Sequence, residues 1–330
     1  MTSSGITSQR GLIPQALATC AVLLVASSLV PGPPAGAGTH DVNSYRSVEY
    51  NMWGWHGKDA YFNPESPLVV ASWVVWSPDA YRPSSFHLVE VCNQDFDTIN
   101  SYLSSYGYVG YFYASKSTQW NGTIKPWGPN GYALERWNRS QTDSRCDWFG
   151  NAVWVRGGVQ TSVGGWYSWQ VLDAKEYRNH LCVQTSFIIY WSCVSHLVLK
   201  GTKYNGIEIN QYQLGEYQGV VQPKVSSGTT TIAGGDYNMA PGSVGSWWWN
   251  TLKDGDLNCT SSGSGPPCTD HPTTSSDSGA TTVYDGRKID YLFRANPRSW
   301  SADAYQTFTY WYYGSTGVVA SDHKLTEGFL

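Results

Sequence analysis

Polar side chains that can bind cations or move protons recur in this sequence where short apolar stretches come to an end. They comprise two amides, four carboxylates and two imidazoles: Asn51, Glu90, His196, Asp236, Asn238, Asp290, Asp322 and His323. Carboxylate and amide oxygens are ligands for hard divalent cations, and imidazoles can accept a proton or stabilise charge on a phosphate. The set therefore predicts phosphoryl chemistry assisted by a divalent cation.

Residues 232–241 show this pattern at its densest. A β-branched run at 229–232 meets Gly234 and Gly235, and Asp236 and Asn238 then follow before Pro241. We predict a buried strand that ends in a loop. Alternate residues of an extended chain point the same way, so Asp236 and Asn238 can reach one ligand. A turn that simply favours Asp, Gly and Asn explains the same letters.

The elements that position the other polar residues are predicted to be short strands. Apolar runs at 46–54, 86–92, 286–293 and 318–323 carry Asn51, Glu90, Asp290 and the Asp322–His323 pair. Residues 181–190 and 191–199 predict a hairpin with His196 near its end, and residues 95–103 predict an amphipathic helix. An outward-facing acid at Glu90 and a purely structural His196 are the competing interpretations of those two positions.

Strands separated by helices and long loops predict an α/β layered sandwich in a single domain, residues 38–330. Residues 1–37 predict a secretory signal, because Arg10 precedes an apolar run at 16–30 and a small-residue site at 35–37. A membrane anchor is the alternative, but the run is short for a span and a Pro/Gly-rich stretch follows it. We therefore expect a secreted, extracellular protein without a membrane span once the signal is removed. We also expect a monomer.

The cysteine count agrees with export. Six cysteines remain beyond residue 37, and an even number in an exported chain predicts disulfides. Proximity and the predicted hairpin favour three pairs among the fifteen pairings that six cysteines allow: Cys92–Cys146, Cys182–Cys193 and Cys259–Cys268.

Composition limits the function classes. The chain has 330 residues with 17 Trp and 23 Tyr, and only 14% of its residues are charged, which excludes a disordered protein. A formal net charge of −4 excludes a global basic field. Nucleic-acid binding would need a metal or a local patch, for which the candidate cations are Arg139, Arg145, Arg156 and Lys224. The run Trp247–Trp249 is either a lid or contact surface, or part of the core.

Seven short motifs follow one another along the chain: Asn-x-x-Gly at Asn51, Glu-Val-Cys at Glu90, Gly-Asn-Ala at Asn151, Ser-His-Leu at His196, Gly-Asp-Tyr-Asn at Asp236, Ile-Asp-Tyr at Asp290 and Ser-Asp-His at His323. Their order resembles that in the endonuclease/exonuclease/phosphatase superfamily, which includes pancreatic-type deoxyribonuclease. Each motif is weak by itself, but the chain resembles this superfamily from about residue 46 to its end.

The resemblance implies a four-layer sandwich, in which two mixed β-sheets lie face to face with helices outside. It also implies metal-dependent hydrolysis of a phosphate ester. Glu90 would bind Mg²⁺, or Mn²⁺ or Ca²⁺ in its place, with Asn51 and Asp322 nearby. His323, oriented by Asp290, would act as general base or stabilise phosphate charge.

The remaining roles are carried over in the same way. Asp236 would position or activate water or assist the leaving group, Asn238 and His196 would hold phosphate oxygens, and Asn151 would be a further phosphate contact. The chain departs from the usual pattern at Val89, where Gln is common, and at Lys324, where an apolar residue is common. These departures remove no catalytic group, but they leave the substrate open.

The sequence therefore predicts a secreted nuclease that cleaves phosphodiester bonds, with DNA favoured over RNA. A sphingomyelinase-like enzyme or another phosphodiesterase or phosphatase for lipid or small esters is the alternative. An inactive binding module of the same fold is the third hypothesis. A basic groove beside the site would favour nucleic acid, and a protruding apolar hairpin that carries the Trp run, without such a groove, would favour lipid.

Overall fold

The structure is a computed structural model. It describes residues 46–52, 70–71, 75, 82–115, 124–127, 131–134, 149–169, 178–186, 189–201, 203–254, 282–283, 287–295, 306–310, 323 and 325–329. All of these residues belong to the unit Gly38–Leu330. The predicted signal at 1–37 lies outside the described residues and stays a prediction, as do Cys146, Cys259, Cys268 and Asp322.

One sheet has eight strands, in the spatial order β15-β16-β1-β2-β6-β3-β5-β4. In chain order they are β1 (Arg46–Asn51), β2 (Ser85–Cys92), β3 (Tyr108–Ala114), β4 (Ile124–Trp127), β5 (Gly131–Leu134), β6 (Phe149–Arg156), β15 (Gln306–Tyr310) and β16 (Leu325–Phe329). The sheet is mixed, because β1 pairs with β2 in parallel and β2 pairs with β6 in antiparallel orientation.

The other large sheet has six strands, in the order β13-β14-β12-β9-β8-β7. They are β7 (Val159–Trp166), β8 (Asn179–Thr185), β9 (Tyr190–Ser195), β12 (Thr230–Asp236), β13 (Lys253–Asp254) and β14 (Asp290–Ala295). This sheet is mixed as well, since β12 runs parallel to β9 and antiparallel to β14. The two-residue strands β10 (Lys203–Tyr204) and β11 (Ile207–Glu208) form a separate hairpin.

A helix covers each sheet from outside. Helix α1 (Asn93–Ser104) extends slightly beyond the predicted 95–103 and packs Phe96 against Phe112 and Trp154 of the eight-stranded sheet. Helix α2 (Ile209–Ser226) packs Leu214, Tyr217 and Val221 onto the six-stranded sheet. Among the described residues, no helix is both long and apolar enough to cross a membrane.

An apolar cluster lies between the two sheets. Val89 of β2 and Val153 and Val155 of β6 pack with Leu181 and Val183 of β8 and with Val194 of β9. Burial of both inner faces against each other is what holds two twisted sheets together. The predicted four-layer sandwich, with two mixed sheets inside and helices outside, is confirmed.

The tryptophan run belongs to the core. It lies in helix α3 (Ser246–Thr251), where Trp248 and Trp249 are buried and Trp247 is partly buried against the same cluster. The Trp248 ring packs on Tyr217 and Phe293, with ring centroids 5.4 Å apart in both pairs. Core packing, and not a lid or contact surface, is therefore the role of this run.

The predicted hairpin is confirmed with shifted bounds. Strands β8 and β9 are antiparallel, and Tyr190 opens the second strand instead of closing the first. Cys182 lies directly opposite Cys193 and forms the predicted disulfide. Cys92 is disulfide-bonded too, but the cysteine predicted as its partner lies outside the described residues.

Candidate active site

The ends of neighbouring strands bring the predicted residues together. Strand β1 ends at Asn51 and β12 ends at Asp236, which pairs in register with Asp290 at the start of β14. His196 directly follows β9, which runs parallel to β12. Because the two sheets face each other, these ends meet at one edge of the sandwich.

A backbone irregularity sets the direction of Glu90. The pairing of β2 with β6 shifts register between Leu88 and Val91, and Glu90 has a φ of 58°. A bulge of this kind turns one side chain away from the regular alternation of the strand. Glu90 is consequently neither a simple outward-facing acid nor a core residue, and its Oε1 lies 3.6 Å from His196 Nε2.

A close approach of two backbones precedes Asp236. Gly235 has a φ of 131°, and a Cβ atom at this position would lie 1.9 Å from the Ser195 carbonyl oxygen. Only glycine fits such a conformation at such a contact. The second glycine of the Gly-Gly-Asp motif is thus required to bring Asp236 beside the end of β9.

Asp290 and His323 form a buried hydrogen-bonded pair. His323 Nδ1 lies 2.9 and 3.0 Å from the two carboxylate oxygens of Asp290. Thr282 Oγ1 accepts hydrogen bonds from the backbone N–H groups of Ile289 and Asp290, which fixes the start of β14. A carboxylate at Nδ1 holds the proton there and leaves Nε2 as the acceptor.

The Nε2 side of His323 faces Asp236 and Asn51. Asn51 Nδ2 donates to Asp236 Oδ2 at 3.2 Å and lies 3.4 Å from His323 Nε2. His323 Nε2 is 3.8 Å from the same Asp236 oxygen. Burial, and then the charge of Asp290, raise the pKa of Asp236 to about 7. Asp236 can therefore exchange a proton near neutral pH.

His196 is packed among charged groups and is not an isolated structural histidine. Its Nε2 lies 3.5 Å from Asp236 Oδ2, and the guanidinium of Arg178 contacts both ring nitrogens. Burial, followed by the charges of Arg178 and His323, lowers the pKa of His196 well below its usual value. His196 is thus neutral and able to donate a hydrogen bond.

Three hydrogen bonds hold Asn238 in place. Its backbone N–H donates to Asp236 Oδ1 at 2.8 Å, and its Nδ2 donates to the Leu197 carbonyl at 2.9 Å. Asn210 of α2 donates in turn to the Asn238 carbonyl at 3.1 Å. One side-chain amide proton of Asn238 is used in this way, and the predicted contact with a phosphate oxygen would use the second.

The side chain of Asn151 is hydrogen-bonded to Asn179. Its Nδ2 donates to the carbonyl oxygen and to Oδ1 of Asn179, at 3.0 and 2.8 Å. Asn179 donates in turn to the Tyr113 carbonyl and to Ser115 Oγ. Since an amide has only two protons to donate, Asn151 has none left for a phosphate oxygen in this arrangement. Its role as a phosphate contact remains a prediction.

Two residues of the site were missed by the sequence analysis. Arg178 stands one residue before β8, in a stretch without any recognisable motif. Glu49 lies two positions before Asn51, so alternation along β1 places it on the same face. It is fully buried, and burial, then the charge of Asp290, raise its pKa well above the usual value. The sequence did contain a signal for Glu49, because this acid precedes the strand-end amide Asn51 by two residues.

The residues present fit a divalent cation. Glu90 and Asp236 both approach His196 Nε2, at 3.6 and 3.5 Å, and Asp290 pairs in register with Asp236. Glu49 interacts electrostatically with both aspartates. Atoms of Asp236, Asp290 and His323 that could bind a metal lie within 4.8 Å of one another. The Asp290–His323 hydrogen bond already occupies two of these groups, and Glu90 and Asn51 remain the predicted ligands. A cation would relieve the repulsion that raises the pKa of Asp236.

Two of the four candidate cations are described by the structure, and neither lies at this edge. Arg156 closes β6, at the opposite end from Asn151, and stacks over the Tyr108 ring. Lys224 lies over the ring of Trp191, near the start of β9 and away from His196. Arg139 and Arg145 lie outside the described residues. Arg178 is the cation that the structure places in contact with the site.

Comparison with known proteins supports the fold alone. No family model matches the chain, and no curated protein matches it. Three solved structures each match 87% of this chain: truncated TDP2 from Caenorhabditis elegans (14% identity, 97% of that chain, TM-score 0.53), the human Nocturnin catalytic domain with bound sulfate (18%, 93%, 0.51), and an endonuclease/exonuclease/phosphatase from Bacteroides vulgatus (12%, 98%, 0.50).

Proposed function

From the endonuclease/exonuclease/phosphatase fold of this chain, we propose that it is a secreted, metal-dependent hydrolase of phosphodiesters, with DNA favoured over RNA as substrate. The observation that carries the proposal is the Asp290–His323 pair, whose Nε2 side faces Asp236. The same arrangement of a carboxylate, an imidazole and a second proton-exchanging group activates water in many hydrolases. Secretion and DNA preference rest on the sequence.

In this proposal, water attacks phosphorus as the ester P–O bond breaks. Asp290 keeps the Nδ1 proton of His323 in place, so Nε2 can accept the proton of water or stabilise phosphate charge. Asp236 either positions that water or assists the leaving oxygen, which takes up a proton as the P–O bond breaks. His196, Asn238 and Arg178 hold the non-bridging oxygens, where donors aimed at developing charge are most effective.

A hard divalent cation completes the proposed site. Glu90 and Asn51, together with Asp322, would hold Mg²⁺, or Mn²⁺ or Ca²⁺ in its place. When bound, the cation would supply charge neutralisation at the phosphate. The oxygen-rich donor set agrees with such an ion and disfavours a soft metal.

The second candidate is a phosphodiesterase for a lipid. It is favoured by the absence of the two described candidate cations from the site edge and by the exposed Leu199, three residues after His196 in the chain. An inactive binding module is disfavoured because the described part of the chain retains every catalytic group that the family resemblance requires there.

A paired hydrolysis assay tests the proposal. Plasmid DNA, RNA and sphingomyelin are each incubated with the protein in Mg²⁺ and in EDTA. His323→Ala is the inactive variant, and Asp97→Asn, on the exposed face of α1, is the control. Metal- and His323-dependent nicking of plasmid supports the nuclease. Release from sphingomyelin with DNA intact selects the second candidate, and no hydrolysis of any substrate would contradict both.

A further inference from the structure

Exposed apolar side chains of the described residues are concentrated in one short segment. Leu199, Tyr204 and Ile207 are 62%, 48% and 44% exposed and lie within nine residues. Val163 and Ile189, at 44% and 57%, lie apart from this segment. We call Leu199, Lys200, Lys203, Tyr204 and Ile207 the rim surface. Such a concentration of apolar exposure marks an interaction surface rather than ordinary scatter.

A tight hairpin presents two members of the rim surface together. Asn205 and Gly206 have φ values of 50° and 82° and form a two-residue turn between β10 and β11. Asn-Gly in this conformation matches the twist of paired strands. Tyr204 pairs directly with Ile207, so both side chains project from the same face of the hairpin.

The segment is held in place before any partner binds. The Glu208 carboxylate accepts a hydrogen bond from the Gly201 N–H at 2.7 Å, which ties the preceding loop to the hairpin. The Tyr204 ring packs on Trp169 with centroids 4.9 Å apart, and Trp169 stacks on Tyr212 at 4.4 Å. A preordered surface loses little conformational entropy when it docks.

The rim surface lies beside the candidate active site. Leu199 follows His196 by three residues. The Gln213 side chain accepts from the Val198 N–H at 2.8 Å and donates to the Trp169 carbonyl at 2.7 Å. This residue joins the two backbone segments that carry the surface. Leu199 thereby connects the rim surface to the chain segment that carries His196 of the candidate site.

The side-chain chemistry favours a lipid surface over single-stranded nucleic acid. Lys200 and Lys203 are exposed, and the Lys203–Glu208 ion pair at 3.8 Å is too exposed to neutralise the cation fully. Glu216, the nearby acid, is engaged by the N–H groups of Ser168 and Trp169. Aliphatic Leu199 and Ile207 cannot stack on bases, whereas apolar groups beside lysines suit an anionic bilayer interface.

We propose that the rim surface docks this protein onto anionic lipid surfaces. Leu199, Tyr204 and Ile207 enter the interface, and the two lysines lie among the headgroups. This inference extends the second candidate function, since it would place the site against phosphodiesters of a bilayer. Docking itself requires no catalysis, so it can be measured separately from hydrolysis.

Amide hydrogen exchange of the full chain tests the location of docking. Exchange is compared with no vesicles, with phosphatidylcholine vesicles, and with vesicles of phosphatidylcholine mixed with phosphatidylserine. Slower exchange at 199–208, strongest with the mixed vesicles, is the expected result. Because the readout is local, contacts made by the apolar run at 16–30 cannot imitate it. Unchanged exchange at 199–208 with bound vesicles would overturn the proposal.

Vesicle sedimentation with variants tests the chemistry. Leu199→Ser/Tyr204→Ser/Ile207→Ser should weaken partitioning onto mixed vesicles by about tenfold or more, and Lys200→Gln/Lys203→Gln by roughly fivefold per lysine at low salt. The matched control, Val163→Ser/Ile189→Ser, should partition like the parent protein. Equal losses in control and rim variants would overturn the proposal.

Two further measurements distinguish lipid docking from catalysis and from binding of single-stranded DNA. His323→Ala should bind vesicles like the parent protein, so a failed hydrolysis assay and a failed docking assay remain distinguishable. A labelled single-stranded DNA oligonucleotide is titrated with the same variants. If the rim substitutions abolish DNA binding but leave vesicle binding intact, the surface is a nucleic-acid platform and the lipid assignment is wrong.

Discussion

His323 Nδ1 lies 2.9 Å from Asp290 Oδ2, although the two residues are 33 positions apart. The bond fixes which imidazole nitrogen carries the proton, and it turns the other nitrogen toward Asp236. The orientation of the proposed base therefore depends on a carboxylate that itself need not touch substrate.

Replacing Asp290 by Asn should lower kcat by about 10²–10⁴-fold, because an amide no longer stabilises the Nδ1–H tautomer or the imidazolium. The measurement is the initial rate on the substrate that the hydrolysis assay selects. Asp97→Asn makes the same chemical change on the exposed face of α1 and should leave kcat unchanged. A fully active Asp290→Asn protein would refute the assignment of His323 as the oriented base.

Replacing Arg178 by Gln should lower kcat and kcat/KM together by about 10²–10³-fold, because a charged donor beside the phosphate is lost. Arg178→Lys should recover part of the rate, since it keeps the charge but not the planar fork. Arg156→Gln is the matched control, as Arg156 lies at the far end of β6. A rise in KM alone would show that Arg178 serves substrate binding only.

Replacing Gly235 by Ala should lower the free energy of unfolding by about 3 kcal/mol or more, because the new Cβ meets the Ser195 carbonyl in a strained backbone conformation. Urea unfolding measures the change. Gly242 has open space around it and no positive φ, so Gly242→Ala should stay within about 0.5 kcal/mol of the parent. Equal stabilities for the two variants would contradict the close approach.

Acid should destabilise the protein through His87. Burial lowers the pKa of this imidazole, which contacts Ser192 Oγ between the sheets, from 6.5 to about 3. Below pH 6.5 the unfolded chain binds a proton that the folded protein does not. The unfolding free energy should therefore fall by up to about 1.4 kcal/mol per pH unit as pH drops toward 3.

The variant His87→Gln isolates this contribution, because glutamine can still bond to Ser192 but does not titrate. Urea unfolding is measured between pH 7 and about pH 4. The unfolding free energy of the variant should fall less steeply with decreasing pH than that of the parent. Part of the slope should remain, since burial also lowers the pKa of His180, to about 4. Identical slopes would show that His87 is not buried in its neutral form.

Local polarity at strand ends was enough to predict most of the site. A layered sheet gathers the ends of its strands at one edge. Seven predicted residues lie where apolar runs meet turn residues: Asn51, Glu90, His196, Asp236, Asn238, Asp290 and His323. The Cys182–Cys193 pair followed from adjacency in a predicted hairpin. Helix α2 was not predicted, because Gly215, Gly219 and Pro223 weaken the helical pattern of its sequence. Packing on the six-stranded sheet stabilises the helix.

Tertiary structure alone decided the contacts. Asn51 meets Asp236 across 185 residues, and Arg178 meets His196 only because β8 and β9 pair in one particular register. A shift of one residue would turn each of these side chains to the other face of its sheet. Strand register and packing also determine three further features: the bulge at Glu90, the hydrogen bonds between Asn151 and Asn179, and the burial of Trp248. Residue types set which chemistry was available, and strand register and packing determined which groups could meet.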